Sequence, residues 1–282
     1  MSRSGAYAAL FVALVLVSTS GPFIRASGMD AFALVVWRMA LAAPLFLGWA
    51  AAHGALELRR EDVRPLILGA LCLSAHFCLW VKAFDLTDFA SNLLLLVFQP
   101  VAAAFLGIRM GERPTRRTWL SILLALVGLA IIAGGDVTLG PRALLGDLMC
   151  VLGSVAIALF YVVTRDVRAR RPLSAFMGAT LAIGAIASLP VALLAGARLS
   201  GQGAASWAWL GAVVFLPTLG GHGLLNLAAR HTRLYAVNVV IVLEPFLGIL
   251  IGAAIFPVSV RLIQILGGAV LAVAVWVGLR DV

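Results

Sequence analysis

Long apolar runs alternate with short polar turns along the whole chain. Each run is close to the roughly 20 residues that an α-helix needs to cross ~30 Å of hydrocarbon. The turns are too short to form a separate soluble domain. The pattern therefore predicts an all-α membrane protein. We expect ten transmembrane helices, near residues 6–24, 31–52, 65–84, 90–110, 118–134, 144–164, 174–196, 207–229, 235–256 and 262–279.

The first apolar run, at 6–24, occupies the place where a secretory signal peptide would lie. It is longer than the apolar region of such a peptide, which has about 7–15 residues, and it lacks an A-x-A-like cleavage site. We therefore interpret it as the first membrane span.

The composition agrees with a chain that is surrounded by lipid. Of the 282 residues, 63% are hydrophobic and 12% are charged, whereas a soluble domain carries about 25% charged residues. The net charge of +9 does not indicate nucleic-acid binding, because the basic residues form short clusters between apolar runs and no continuous patch. The expected partners are the lipid bilayer and a small-molecule solute.

The basic residues also predict the orientation in the membrane. If the N-terminus is inside, the inner loops carry about three times as many Lys and Arg residues as the outer loops. The inner clusters lie near 59–64, 109–117, 165–171 and 230–233. Because positively charged loops remain on the cytoplasmic side, we expect a multi-pass protein of the inner membrane with both termini in the cytoplasm.

The chain repeats itself weakly at an offset of 146 residues. Four pairs define the repeat: Pro44 with Pro190, His76 with His222, Asn92 with Asn238 and, after a one-residue slip, Gln99-Pro100 with Glu244-Pro245. The expected units are residues 1–140 and 141–282, with five spans each. Because five is odd, the second unit would enter the membrane upside down, and such inverted repeats are the usual basis of alternating access.

These paired segments resemble the EamA-type branch of the drug/metabolite transporter superfamily. In the first half, the resemblance rests on His76-Phe-Cys-Leu-Trp80, Asp88-Phe-Ala90-Ser91-Asn92, Gln99-Pro100 and Gly111-Glu112. In the second half, it rests on Ala228-Ala-Arg-His231, Ala236 and Glu244-Pro245. The resemblance implies a ten-helix exporter of amino acids, metabolites or related amphipaths, with a central cavity between the two halves.

Ionisable side chains at membrane depth cost a few kcal/mol even on lenient insertion scales, so each needs a reason. Arg38 offers a fork of donors for a substrate carboxylate or phosphate; alternatively it snorkels outward or pairs with a structural acid. Glu244 either binds a substrate ammonium group, exchanges a proton, or is a protonated carboxyl that satisfies backbone freed by Pro245. Gln99 holds the equivalent position before Pro100 without a charge.

A second group of candidates would form a polar and aromatic wall. Trp80 and Asn226 stand four residues after His76 and His222, so each shares a helical face with its histidine. Such a wall suits an amphipathic solute, although ordinary packing is the alternative for each residue. Tyr161 either presents its hydroxyl to the cavity or anchors the helix at the membrane interface.

Two further expectations concern helix ends and kinks. Asn92 and Asn238 stand where the fourth and ninth spans begin, which favours helix capping at the outer surface. Prolines within the predicted spans indicate kinks at Pro44, Pro100, Pro190 and Pro245, around which helices would bend during transport.

The sequence lacks the motifs of the competing classes. It has no H-E-x-x-H run, no P-loop and no dinucleotide fingerprint, so we predict no enzyme, no cofactor and no metal site. A channel is less favoured, because channels usually build a filter around a symmetric pore. The prediction is a secondary transporter, monomeric or homodimeric, that exports amino acids, hydrophobic or aromatic ones above all. The alternative is an exporter of lipophilic cations that uses Glu244 and ignores Arg38.

Overall fold

In a computed structural model of the chain, residues 3–109, 111, 114–133, 140–232, 234–256 and 260–280 are described. Every regular element within them is helical. The α-helices are α1 (Arg3–Ser18), α2 (Ser20–Ser27), α3 (Ala31–Ala52), α4 (Arg60–Ala83), α5 (Phe89–Leu94), α6 (Phe98–Arg109), α7 (Arg116–Ala133), α8 (Pro141–Val163), α9 (Arg165–Arg170), α10 (Leu173–Leu194), α11 (Ala204–Val213), α12 (Gly223–Ala228), α13 (Leu234–Ile241), α14 (Glu244–Ile255) and α15 (Leu262–Leu279). A 3₁₀ turn (Leu95–Val97) precedes α6, and a π-helix (Val214–His222) precedes α12.

Eight helical stretches of the described chain are long and apolar enough to cross a membrane. They are Gly5–Ser27, Ala31–Ala52, Arg60–Ala83, Ser91–Arg109, Pro141–Val163, Leu173–Leu194, Ala204–Ala228 and Leu262–Leu279. The fifth expected span corresponds to α7, and the ninth contains a shorter apolar helix, Val239–Ile255. The all-helical membrane architecture is thus confirmed, while the count of ten spans and the two units 1–140 and 141–282 stay predictions.

The outer surface of the bundle is apolar. Leu194 is 90% exposed, and Ile186, Leu262 and Trp49 are also largely exposed. Exposed apolar side chains in such numbers require a lipid environment, since a soluble protein rarely shows large continuous apolar patches. The polar side chains discussed below are therefore concentrated inside the bundle.

Helices pack in pairs that bring distant parts of the sequence together. α3 packs on α10, α4 on α8, α7 on α15, α6 on α13, and α1 on the π-helix and α12. The α7–α15 pair is the closest in backbone terms: a Cβ on Gly267 would lie 2.6 Å from the carbonyl oxygen of Gly128. This approach requires glycine at both positions.

The four expected kink prolines fall into two groups. Pro44 and Pro190 lie inside the uninterrupted helices α3 and α10. Pro100 follows the 3₁₀ turn at the start of α6, and Pro245 is the second residue of α14, after the break that ends α13 at Ile241. The latter two therefore stand at real helix interruptions, where a missing backbone N–H costs least.

One expectation about helix caps is wrong. The side chain that caps α5 is Asp88, which accepts from the backbone N–H of Ser91. Asn92 is fully buried and donates through Nδ2 to the carbonyl of Trp80 at 3.1 Å, because its position on the second turn of α5 faces α4. Glu112 and the side chains of Asn238 and Ala236 lie outside the described residues.

Candidate functional site

A small cavity lies in the middle of the bundle, between buried polar and aromatic side chains. It is lined by Val17, Ser20, His76, Phe77, Trp80, Leu96, Gln99, Ile157, Tyr161, His222, Leu225, Ile241 and Glu244. Its volume is about 20 Å³, which is enough for about one water molecule. The described conformation is therefore closed around the site, and a metabolite enters only if helices separate.

α4 contributes three neighbouring wall residues. The rings of His76 and Trp80 are nearly parallel, at 5°, with centroids 6.0 Å apart, as expected for residues one helical turn apart. Nδ1 of His76 lies 2.9 Å from the carbonyl oxygen of Gly153 on α8, so an N–H at Nδ1 donates to that carbonyl. Nε1 of Trp80 is buried and has no hydrogen-bond partner. This wall thus holds an indole donor that a solute can use.

Arg38 lies directly behind this wall and is completely buried. Its Nε donates to Oγ1 of Thr218 at 2.7 Å, and its Nη1 donates to Oγ of Ser20 at 3.3 Å. Its Nη2 is buried without a partner. Among the described residues, no carboxylate forms an ion pair with Arg38, and burial rules out snorkelling. The role of Arg38 in substrate binding stays a prediction, because Glu244, although it forms no ion pair with Arg38, still attracts its charge.

The π-helix supplies the acceptor for Arg38. Oγ1 of Thr218 donates to the carbonyl of Val213, five residues back, at 2.7 Å. Pro217 lies within this segment and has no N–H to bond the preceding turn. π-Helical turns inside α-helices occur frequently at functional sites. The apolar pattern alone does not predict this element, although Pro217 followed closely by Gly220 and Gly221 is a signal of irregular helix.

His222 ends the π-helix and completes a stack around Phe77. The His222 ring meets Phe77 edge to face, with centroids 5.4 Å apart at 88°, while Arg38 faces the same ring. Asn226 does not line the cavity: its Nδ2 donates to the carbonyl of His222 at 2.9 Å, and its Oδ1 is buried without a partner. The structure brings His222 to the wall and leaves Asn226 behind it.

Gln99 and Glu244 line the cavity from two helix N-termini. Glu244 is the first residue of α14, and Gln99 is the second residue of α6. Both are buried, with Glu244 9% exposed. A helix N-terminus stabilises a carboxylate, and within the described residues Glu244 has no ion-pair partner. The pair expected from the sequence thus meets in one cavity.

Tyr161 lines the cavity from α8 and is 1% exposed. Its hydroxyl is buried without a hydrogen-bond partner. The guanidinium carbon of Arg168 lies 5.2 Å from the centre of its ring. This burial argues against an anchor at the membrane interface. Tyr161 instead lies between the cavity and Arg168, a second buried arginine that the sequence indicated only as a loop charge.

An ion-pair network ties α4 to the chain after α9. Asp62 is fully buried; it accepts from Nε of Arg171 at 2.6 Å and from the backbone N–H of Arg59 at 2.9 Å. Nη2 of Arg170 lies 3.7 Å away. No motif in the sequence indicated this contact, because its partners are more than 100 residues apart.

A bundle of apolar spans around a closed cavity of polar and aromatic side chains is the architecture of a membrane transporter. The sequence profile of the EamA-like transporter family matches residues 4–134 and again residues 144–279. The chain belongs to this family, which is part of the drug/metabolite transporter superfamily. Family membership indicates a transporter and not an enzyme.

One protein and one solved structure are also similar to this chain over nearly its whole length. An "uncharacterized transporter" of Archaeoglobus fulgidus is 26% identical over 278 residues, which is 97% of this chain and 96% of the relative. A protein of known crystal structure superposes on this chain with a TM-score of 0.81 at 19% identity, and the match covers 98% of this chain and 96% of the other. At that identity, the similarity to the crystal structure shows the shared fold alone.

Proposed function

We propose that this protein exports small amphipathic metabolites, above all amino acids with hydrophobic or aromatic side chains, by alternating access. The observation that carries the proposal is Arg38, a fully buried guanidinium with a free Nη2 beside the cavity and no described acid paired with it. Burying an unpaired charge is costly, and a bidentate carboxylate ligand compensates that cost. The proposed membrane is the inner membrane, with both termini in the cytoplasm.

The rest of the cavity suits the other parts of an amino acid. Glu244 supplies a carboxylate for the ammonium group, since it lines the cavity without an ion pair to a described residue. Phe77, Trp80 and Tyr161 supply aromatic surface for the side chain, and the unpartnered Nε1 of Trp80 supplies a further donor. Binding thus uses few polar groups within an apolar pocket, as most small-molecule sites do.

The helix pairing supports an inverted repeat as the basis of the mechanism. If the halves are exchanged, the α3–α10 and α7–α15 pairs map onto themselves, the α6–α13 pair maps onto α14–α5, and the α4–α8 pair maps onto α12–α1. The interruptions before Gln99-Pro100 and Glu244-Pro245 stand at equivalent places in the two halves. Two closely related arrangements of one bundle then open the cavity to either side.

A lipophilic cation is the second candidate solute. It is favoured by the buried Glu244 and by the aromatic rings of the cavity, which attract cations through their faces. A lipophilic cation has no anionic group for Arg38 to bind. Dependence of transport on Arg38 therefore separates the two candidates.

The test uses purified protein in liposomes. Efflux of radiolabelled phenylalanine should saturate and should be accelerated by unlabelled amino acid outside. We expect Arg38→Gln to lower this flux at least tenfold and to leave tetraphenylphosphonium flux unchanged, whereas Arg64→Gln, at an exposed arginine, should match the wild type. Flux that rises linearly with concentration would indicate a channel. No flux of any amino acid, with saturable tetraphenylphosphonium flux, would replace the proposal by the second candidate.

A further inference from the structure

Two arginines, Arg168 buried beside Tyr161 and Arg230 half-buried, have no counter-charge among the described residues. Arg168 is 3% exposed, and its donors reach neutral acceptors: Nη1 donates to Oγ1 of Thr164 at 3.0 Å and Nη2 to the carbonyl of Tyr161 at 3.1 Å. Arg230 is half-buried, and its Nε and Nη2 are shielded from solvent with no hydrogen-bond partner. In the part of the chain that the structure describes, neither forms an ion pair with an acid.

Arg168 and Arg230 both carry a positive charge, so they repel each other. Burial above all lowers the pKa of Arg168 to about 10; Tyr161 opposes this shift, while the nearby positive charges of Arg230 and Arg165 add to it. Burial also lowers the pKa of Arg230. Both side chains still carry their charge at neutral pH. Within the described part of the chain, these two cations repel each other without a compensating acid, which is unfavourable unless an anion joins them.

The position of the pair relates it to the cavity. Arg168 packs on the ring and the backbone of Tyr161, and Tyr161 lines the cavity on its other side. Arg168 lies on α9 and Arg230 follows α12, both at the arginine-rich end of the bundle. An anion bound at Arg168 is therefore separated from the cavity by the side chain of Tyr161.

We propose that Arg168 and Arg230 form a second anion-binding site, which takes a carboxylate or phosphate group next to Tyr161. This inference rests on the proposed function in one respect: there, the site receives the carboxylate of the solute from the cytoplasm before Arg38 does. Arg230 has free donors at Nε and Nη2, and each guanidinium offers the planar fork of N–H groups that suits such oxyanions.

The test measures binding and not transport. The unfolding temperature of the protein in a neutral detergent is followed while sodium phosphate or sodium acetate replaces sodium chloride at constant ionic strength. A bound anion raises this temperature. We expect Arg230→Gln to lose more than half of the rise, and to be at least as stable as the wild type in chloride, since no partner of its Nε and Nη2 is lost. Arg64→Gln is the matched control and should respond like the wild type.

A second arm identifies the source of the anion. The same proteins are placed in nanodiscs of phosphatidylcholine with and without phosphatidylglycerol. An Arg230-dependent rise with phosphatidylglycerol that acetate does not abolish assigns the site to a lipid headgroup; an Arg230-dependent rise with acetate assigns it to a free carboxylate. If Arg230→Gln keeps half or more of every response, or if the wild type responds to no probe, the site does not exist.

The result is independent of the flux measurement. Arg230-dependent anion binding without saturable flux would keep the site and remove the proposed function. Saturable amino-acid flux without Arg230-dependent binding would keep the proposed function and remove the anion site. Arg168→Gln is the weaker variant for this purpose, because its hydrogen bonds to Thr164 and Tyr161 also support the fold.

Discussion

The guanidinium carbon of Arg38 lies 4.1 Å from the centre of the Phe77 ring, inside the bundle. A desolvated contact of this kind is worth about 2 kcal/mol, so Phe77 holds Arg38 in place while leaving its Nη2 free. Because Phe77 also lines the cavity and faces His222, any solute that displaces this ring also moves the cation behind it. The geometry links binding at the wall to the position of the buried charge.

The hydrogen bond between Arg38 and Thr218 should be important for stability. Thr218→Val removes the acceptor of Nε and leaves a charged donor unsatisfied, which should destabilise the protein by about 1.5–3 kcal/mol. Thr180→Val is the control, because Thr180 is equally buried but its hydroxyl has no partner. Chemical unfolding of both variants should show a loss for Thr218→Val alone. Equal effects would mean that volume, and not the hydrogen bond, is being measured.

The buried carboxylate at the start of α4 should matter far more than an exposed one. Asp62→Asn leaves Arg171, which is 6% exposed, with only the longer 3.5 Å contact to the exposed Glu61, and breaking a buried pair costs about 3–5 kcal/mol. Asp85→Asn breaks the exposed pair with Lys82 and should cost about 0–1 kcal/mol. The comparison is made by unfolding temperature at neutral pH. A small effect at Asp62 would show that water reaches Arg171.

The close contact between α7 and α15 should not accept a side chain. Gly267→Ala places a methyl group against the carbonyl of Gly128 and should cost about 1–3 kcal/mol through forced backbone movement. Gly48→Ala, in α3, meets nothing within 4 Å and should leave stability unchanged or slightly improve it. Unfolding measurements on the pair decide the matter, and tolerance of Gly267→Ala would indicate that the helices are further apart.

The unpartnered Nε1 of Trp80 should contribute to solute binding. Trp80→Phe keeps an aromatic ring but removes the indole N–H, so stability should fall only slightly while the KM for amino-acid efflux rises about fivefold, the equivalent of one hydrogen bond. Trp49→Phe serves for comparison, because Trp49 is 64% exposed on the lipid side. An unchanged KM in Trp80→Phe would make this residue a packing residue only.

Much of the fold and part of the site follow from the sequence, for a physical reason. The length of the apolar runs predicts membrane helices. Charged or amide side chains within these helices face the interior of the bundle, because lipid cannot solvate them. His76, Trp80, Gln99, Tyr161, His222 and Glu244 accordingly line one cavity. Asn226 does not line the cavity in this conformation, because its Nδ2 donates within its own helix to the backbone carbonyl of His222, and its role in solute binding stays a prediction.

The features that the sequence did not predict depend on tertiary neighbours. The π-helix that orients Thr218 has one more residue in a turn than an α-helix. The spacing of apolar residues in the sequence does not reveal such a single extra residue. Arg168 and Arg171 belong to the same basic cluster, yet one binds neutral groups beside Tyr161 and the other binds Asp62. Sequence counts them alike as loop charges, since only the packing of α8, α9 and α4 separates them.

The glycine contact between α7 and α15 has a consequence for motion. No described residue of either helix lines the cavity, and their backbones touch where a methyl group does not fit. Sliding such a pair would drive peptide groups into one another, so the two helices can move only as a unit. We expect α7 and α15 to stay fixed relative to each other while the helices that line the cavity tilt in the proposed mechanism. Spin labels on α7 and α15 should therefore keep one distance through the whole transport cycle.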